Sequence, residues 1–296
     1  MSASSIAACN MSSPEPTYPA KKLIINLVKE AARPVSASAL IRMAALFGVE
    51  SNTVRVTLNR LSNSGFLSST ERGIYQLGEA AEGLARQQRR WRSLESTLRP
   101  WNGGWLVIYV AHLGRRDRKQ LRRRERAAAL LGFAAFNQGM LVRPDNLAMS
   151  VQSLSEQLQN LGLEPEASMF RACDFTEGAE PAPEQLWPLA ELEAGYRRRI
   201  DRMRDWRKNI AGKTQEDAAR ESFLIGDEVL RFIAFDPRLP EEMLDTALRQ
   251  EMIAEMSVFD DLGKKIWAEF MWPVQHKPIE KRSASRPQLV LLPSRL

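Results

Sequence analysis

Residues 36–77 read SASALIRMAALFGVESNTVRVTLNRLSNSGFLSSTERGIYQL, and this stretch decides the reading of the fold. Ser36 is placed to cap a helix over 38–47, where Leu40, Ala44 and Phe47 recur at helical spacing. Gly48 stops that helix in a short turn. Ser51 is placed to cap a second helix over 52–63, which Gly65 ends. Two short strands, 67–69 and 74–77, flank Glu71-Arg72-Gly73 as a tight hairpin. Helix, turn, helix, hairpin is the order of a winged helix-turn-helix. It suits duplex DNA, whose major groove admits one helix while the first helix braces the second.

At about 100° per residue, Val54, Leu58 and Leu61 of the second helix fall on one core-facing stripe. The opposite face carries Asn52, Arg55, Val56, Asn59, Arg60 and Asn63, with Thr53 and Thr57 at its margins. Arginine pairs with guanine edges or phosphates, asparagine pairs bidentately with adenine, and an outward valine can meet a thymine methyl. Ser51, Asn52, Thr53, Arg55, Val56, Asn59 and Arg60 are therefore the expected DNA contacts, with Arg72 at the hairpin tip reaching a phosphate or the minor groove. The plain counter-reading is a small helical unit with a solvated polar face.

The distribution of charge divides the chain. Residues 1–149 hold 22 Lys/Arg against 10 Asp/Glu, residues 150–270 hold 15 against 25, and residues 271–296 hold 5 against 1. A basic front and an acidic rear fit a molecule whose front faces polyphosphate. Within the front, 114–127 carries Arg115, Arg116, Arg118, Lys119, Arg122, Arg123, Arg124 and Arg126 against only Asp117 and Glu125. Such a run either cradles phosphates, from DNA or from an anionic effector, or is a solvated face whose arginines pair with the acidic rear. A second cluster, Arg197, Arg198, Arg199, Arg202 and Arg204, is interleaved with Asp201 and Asp205 and reads as a salt-bridged helix.

The fold class that follows is α+β and multidomain. A lead-in over 1–20, rich in Ser and Pro, is expected to be disordered, as is a tail over 273–296. The winged helix occupies 21–78, with a packing helix over 22–30, and a connecting helix spans 79–99. In 100–178, strand patterns at 105–113, 133–142 (a strand or a hairpin) and 167–175 alternate with helices at 117–131 and 146–161. That order suggests a ferredoxin-like α/β middle domain whose fourth strand is not evident. An all-α domain over 183–272 has helices at 184–210, 216–235 and 241–270.

Catalytic machinery is not apparent. His112 and His276 are the two histidines, and neither lies in a nucleophile motif. His112, ending an apolar strand, reads as a partly buried structural residue. Cys9 and Cys173 are far apart and give neither a metal spacing nor a disulfide framework, consistent with a reducing cytoplasm. No metal, catalytic residue or bound cofactor is expected, and neither a secretory signal nor an apolar run long enough to span a membrane stands out.

The motifs also line up with a known family. Gly48-Val49, Val54-Arg55, Leu58, Arg60-Leu61, Gly65-Phe66-Leu67 and Gly73-Ile74-Tyr75 resemble the winged helix of the PaaX family, bacterial repressors of phenylacetate degradation. Trp101-Asn102-Gly103-Gly104-Trp105, Arg122, Leu131-Gly132-Phe133, the stretch from Gly139 to Arg143-Pro144, and Asp236-Pro237-Arg238-Leu239-Pro240 extend the likeness over about residues 21–272. The hairpin is shorter than the family's, and Met243-Leu244-Asp245-Thr246-Ala247 stands where the family tends to carry a Trp-containing segment. The resemblance implies a homodimeric, cytoplasmic repressor released from its double-stranded operator by an aromatic acyl-coenzyme A such as phenylacetyl-coenzyme A. Arg115, Arg116, Arg118 and Arg122 are the expected effector contacts. Two other classes stay open: a protein-interaction adaptor that binds no DNA, and a phosphate-handling enzyme such as a nuclease.

Overall fold

Helix α1 (Ala20–Glu30) buries Leu23, Ile24, Leu27 and Val28, the i, i+1, i+4, i+5 stripe of an amphipathic helix. The computed structural model describes residues 18–31, 33–81, 90–137 and 139–276. A two-residue strand β1 (Val35–Ser36) leads into α2 (Ala37–Ala45), and the Ser36 hydroxyl accepts from the Ala39 amide at 3.2 Å. Gly48, at φ +69°, makes the turn that a side chain would strain. Helix α3 (Ser51–Asn63) buries Val54, Leu58 and Leu61, each contributing about 1.5–3 kcal/mol. Its N-cap is Glu50, one residue before the expected Ser51, and no side chain caps it. Strands β2 (Leu67–Glu71) and β3 (Ile74–Leu77) pair antiparallel around Arg72 and Gly73, and β1 adds to β3 to give the order β1-β3-β2.

Of the expected connecting helix over 79–99, residues 79–81 are helical and residues 90–99 are not α-helix. Residues 82–89 lie outside the described residues, and after them the chain makes two 3-10 turns, Arg90–Ser93 and Glu95–Thr97. Next come β4 (Trp105–Tyr109), α4 (Arg118–Leu130), β5 (Ala134–Asn137), β6 (Met140–Pro144), α5 (Val151–Leu161) and β7 (Ser168–Ala172). The four strands form one antiparallel sheet in the order β5-β6-β4-β7. Of the two readings of 133–142, the hairpin is the observed one, and it supplies the strand missing from the sequence pattern. Alternate residues of β4 face opposite ways. Leu106 and Ile108 join Ala127, Ala128, Leu154 and Leu158 of α4 and α5, while Trp105 and Val107 face the C-terminal helices, where Trp187 stacks on Trp105 at 6.3 Å.

The expected helix over 184–210 is broken at Trp187-Pro188 into α6 (Pro183–Leu186) and α7 (Leu189–Lys208). Pro188 disfavours helical backbone in the residue before it. Helix α8 (Gln215–Ala234) follows, and α9 (Thr246–His276) starts five residues later than the sequence suggests because 241–245 forms a turn. The three long helices pack through Tyr196, Ile200, Met203, Ala219, Val229, Met252, Met256 and Phe259.

Two seams join these parts. Lys22 donates to Asp227 at 2.7 Å and Asn26 to the other oxygen of Asp227 at 2.9 Å, so α1 is pinned to α8. Tyr18, placed by the sequence in a disordered lead-in, instead meets Phe47 and Phe223, at 6.1 and 5.7 Å. Burial and Asp227 together raise its phenol pKa. Residues 1–17 of the expected lead-in, with Cys9, and the tail from 277 onward lie outside the described residues, while Ala20 already belongs to α1 and 273–276 of the expected tail to α9. At the second seam, motif stretches from distant parts of the chain converge. The buried Arg143 guanidinium donates to the Leu131 and Pro144 carbonyls and, at 2.8 Å, to Asn146, whose own amide donates to the Arg238 carbonyl at 2.8 Å. Burial, more than its neighbour Arg238, lowers the pKa of Arg143, which makes these acceptors necessary.

Candidate nucleic-acid interface

The burial stripe of α3 leaves its other face to solvent. Ser51, Asn52, Thr53, Arg55, Val56, Asn59, Arg60 and Asn63 are all exposed, and Thr57 is half-buried at the margin. Val56 keeps 44 % of its surface in water, one of four large exposed apolar residues among those described. Among the described residues, the side chains of Asn52, Arg55, Asn59 and Arg60 meet no partner, so their donors and acceptors are free. Arg72 is exposed at the tip of the β2–β3 hairpin, where Gly73 takes φ +80°. The hairpin is stiffened by Ser69, whose hydroxyl donates to the Glu71 and Ile74 carbonyls at 2.5 and 3.2 Å. The structure thus brings the expected α3 residues onto one surface.

Helix α4 carries the arginine run, and its residues do not all behave alike. Asp117 caps it, accepting from the Lys119 and Gln120 amides at 2.8 and 3.1 Å. Arg124 turns inward, buried, and its guanidinium clasps Glu164 at 2.5 and 3.0 Å and also donates to the Gly114 carbonyl. Hydrogen bonds from Arg124, ahead of the opposing effect of burial, hold the Glu164 carboxyl below its ordinary range. Arg115, Arg116, Arg118 and Arg122 are exposed, with Lys119, Arg123 and Arg126 beside them. An open cleft of about 460 Å³ is lined by Arg118, Lys119, Arg122, Arg123 and Arg126 alone. Lys119, Arg123 and Arg126, part of the arginine run but not of the expected effector contacts, share this cleft with Arg118 and Arg122. No ion pair joins this face to the acidic rear among the described residues. Acids of the rear pair with other cations: Glu251 and Glu255 with Arg204 at 2.8 and 3.1 Å, Glu228 with Arg199 at 3.4 Å, and Asp227 with Lys22 at 2.7 Å. The second arginine cluster is salt-bridged as expected, but mainly to α8 and α9 rather than to the interleaved Asp201 and Asp205.

His112 is exposed rather than partly buried, stacked on Tyr109 and within 2.9 Å of the Glu166 carbonyl through Nε2. Among the described residues, no group of three or more His, Cys, Asp or Glu side chains could hold a metal ion, and no helix is long and apolar enough to cross a membrane.

Two family profiles match the chain. Residues 21–81, the helix-turn-helix and hairpin, match PaaX-like protein, and residues 187–269, the helical region, match PaaX-like protein C-terminal domain. The chain belongs to the PaaX-like family. No curated protein matches it. Among solved structures, an uncharacterized protein from Mycobacterium tuberculosis is similar to this PaaX-like chain with 22 % identity and a TM-score of 0.51, over 83 % of this chain and 97 % of that one. That likeness speaks for the fold.

Proposed function

We infer from its membership of the PaaX-like family that this chain is a transcriptional regulator. We propose that it is a sequence-specific repressor that binds duplex DNA through a winged helix-turn-helix, with α3 as the reading helix and the β2–β3 hairpin as the wing. The observation that carries this reading is the division of α3. Val54, Leu58 and Leu61 hold one face down, while Asn52, Arg55, Val56 and Asn59 stand in solvent with no partner among the described residues. Arg60 and Arg72 add phosphate or groove contacts at the edges. The middle region is proposed as a ferredoxin-like domain within 100–178 and the helices as a separate domain within 183–272.

Operation as a cytoplasmic homodimer completes the proposal. A two-fold pair would set its α3 helices about 34–36 Å apart, in successive major grooves of a palindromic site. The proposed effector is an aromatic acyl-coenzyme A. We do not put its acyl group on the arginine face of α4, which has no aromatic or aliphatic wall to receive it. Whatever its site, such a ligand moves the equilibrium only through its differential affinity for the DNA-bound and free conformations. Catalysis is no part of the proposal.

The test is a selection of genomic fragments with the purified full-length protein, followed by anisotropy titrations of the winning duplex and a scrambled one. The wild type should prefer the selected duplex by at least about a thousandfold, the low end for specific regulators. Arg55→Ala and Asn59→Ala should each remove much of that preference. A protein that ignores duplex at low ionic strength would leave the adaptor reading in its place.

A further inference from the structure

Helix α4 is charged against its own stability. Its first turn carries Arg118 and Lys119 and no acid, the opposite of what the positive end of a helix dipole favours. Arg118–Arg122, Lys119–Arg123 and Arg122–Arg126 are like-charge pairs at i, i+4, each destabilising by a few tenths of a kcal/mol. The free protein does not relieve this, since among the described residues no carboxylate pairs with these five side chains. The helix is nonetheless held firmly by the Asp117 cap, by Arg124 on Glu164, and by the Gln120 amide donating to the Gly162 carbonyl at 2.9 Å. A rigid rod with a ladder of unpaired cations is what a polyanion would repay.

The shape of the ladder selects the partner. Arg118, Arg122 and Arg126 follow one another at about 6 Å intervals, four residues at 1.5 Å rise, along a line about 12 Å long. Arg115 and Arg116, also exposed, precede the helix start. A line of guanidinium groups over an open surface fits a row of phosphates rather than a single small anion. It carries no apolar residue of the kind that anchors a helix on a membrane. We propose that the α4 ladder is a second DNA contact surface, which grips the sugar–phosphate backbone beside the bases read by α3. The inference rests on the duplex-binding reading of α3, and it assigns the middle region a direct share of the affinity without any share of the sequence discrimination.

The experiment compares wild type, Arg118→Gln/Arg122→Gln/Arg126→Gln and Arg55→Ala as full chains. Binding to the selected duplex and to a random-sequence duplex is followed by anisotropy over a range of NaCl concentrations. Glutamine forms helix well and removes two of the three like-charge pairs, so the triple variant should melt no lower than wild type. Each lost phosphate contact should flatten the slope of log affinity against log salt by about 0.9, or about 2.7 for three. The expected result is a slope shallower by one unit or more on both duplexes, with the preference ratio unchanged. A smaller change overturns the inference while leaving duplex binding by α3 intact. So does a triple variant whose only defect is lost binding of phenylacetyl-coenzyme A, measured by calorimetry. Failure of the α3 reading looks different: Arg55→Ala would keep the wild-type preference, or no variant would bind DNA.

Discussion

Phe47 and Phe223 meet edge to face with ring centroids 5.1 Å apart. Phe47 sits in the turn between α2 and α3, and Phe223 belongs to α8, so one contact ties the turn before α3 to the C-terminal helices. Tyr18 leans on both rings, and Trp267 lies 6.1 Å beyond Phe223. The orientation of α3 is thereby coupled to the helical region.

Truncation of this pair should show the coupling directly. Phe47→Ala removes a buried ring and should cost about 3–5 kcal/mol. Phe223, half-buried, should cost less. A double-mutant cycle by urea denaturation should leave a coupling energy of about 0.5–1.5 kcal/mol, the usual value for an aromatic pair beyond its burial. Strict additivity of the two substitutions would mean that the rings touch without interacting.

Gly132 makes the second seam possible. It has φ +76°, and a Cβ on it would lie 2.5 Å from the Pro237 carbonyl oxygen and 2.9 Å from the Pro237 Cα, both backbone atoms that cannot swing aside. Gly132→Ala therefore adds left-handed strain to a clash, for a loss of roughly 2–4 kcal/mol. Calorimetry should show a lower melting temperature, with the middle sheet and the C-terminal helices melting in separate steps. Wild-type melting behaviour would show that Asp236-Pro237 does not need to come so close.

Acid sensitivity should reside partly in Glu164. Its pKa in the folded protein lies below the ordinary 4.5 because the carboxylate accepts from Arg124. A depressed carboxyl stabilises the fold above its unfolded-state pKa, and the contribution is lost as pH falls through the folded value. Stability should therefore decline between about pH 5 and pH 3 more steeply in wild type than in Glu164→Gln. At neutral pH, Glu164→Ala leaves the buried Arg124 without a counter-charge and should cost about 3 kcal/mol. Parallel urea midpoints at both pH extremes would contradict this account.

What could be read from the sequence divides along the range of the interactions. Helix α3 and its hairpin were legible because their determinants are local: apolar spacing at Val54, Leu58 and Leu61, and glycines at 48, 65 and 73 where φ is positive. Arg124 was not distinguishable from its neighbours, since its burial is decided by Glu164, a partner 40 positions away. The pairing of β1 with β3 rests on two residues, too few to leave a pattern. Tyr18 lies beside a polar Ser/Pro segment and is held by Phe47, by Asn26 of α1 and by Phe223, a partner more than 200 positions away. The break at Trp187-Pro188 was available in the sequence, but the long charged periodicity on either side concealed it.

Val56 offers the sharpest check of the α3 surface, because nothing in the free protein explains it. Its side chain is 44 % exposed on a helix whose other solvent-facing residues are polar. Val56→Ser removes apolar surface already largely in water, so stability should change by no more than about 0.5 kcal/mol. If Val56 packs on a thymine methyl in the groove, the variant should lose discrimination at one base pair of each half-site and keep it elsewhere. Its salt slope should equal that of wild type, since no phosphate contact is removed. Affinities for a panel of single-base operator substitutions resolve the cases. A uniform loss across the panel would make Val56 a shape contact, and an unchanged panel would remove it from the reading face.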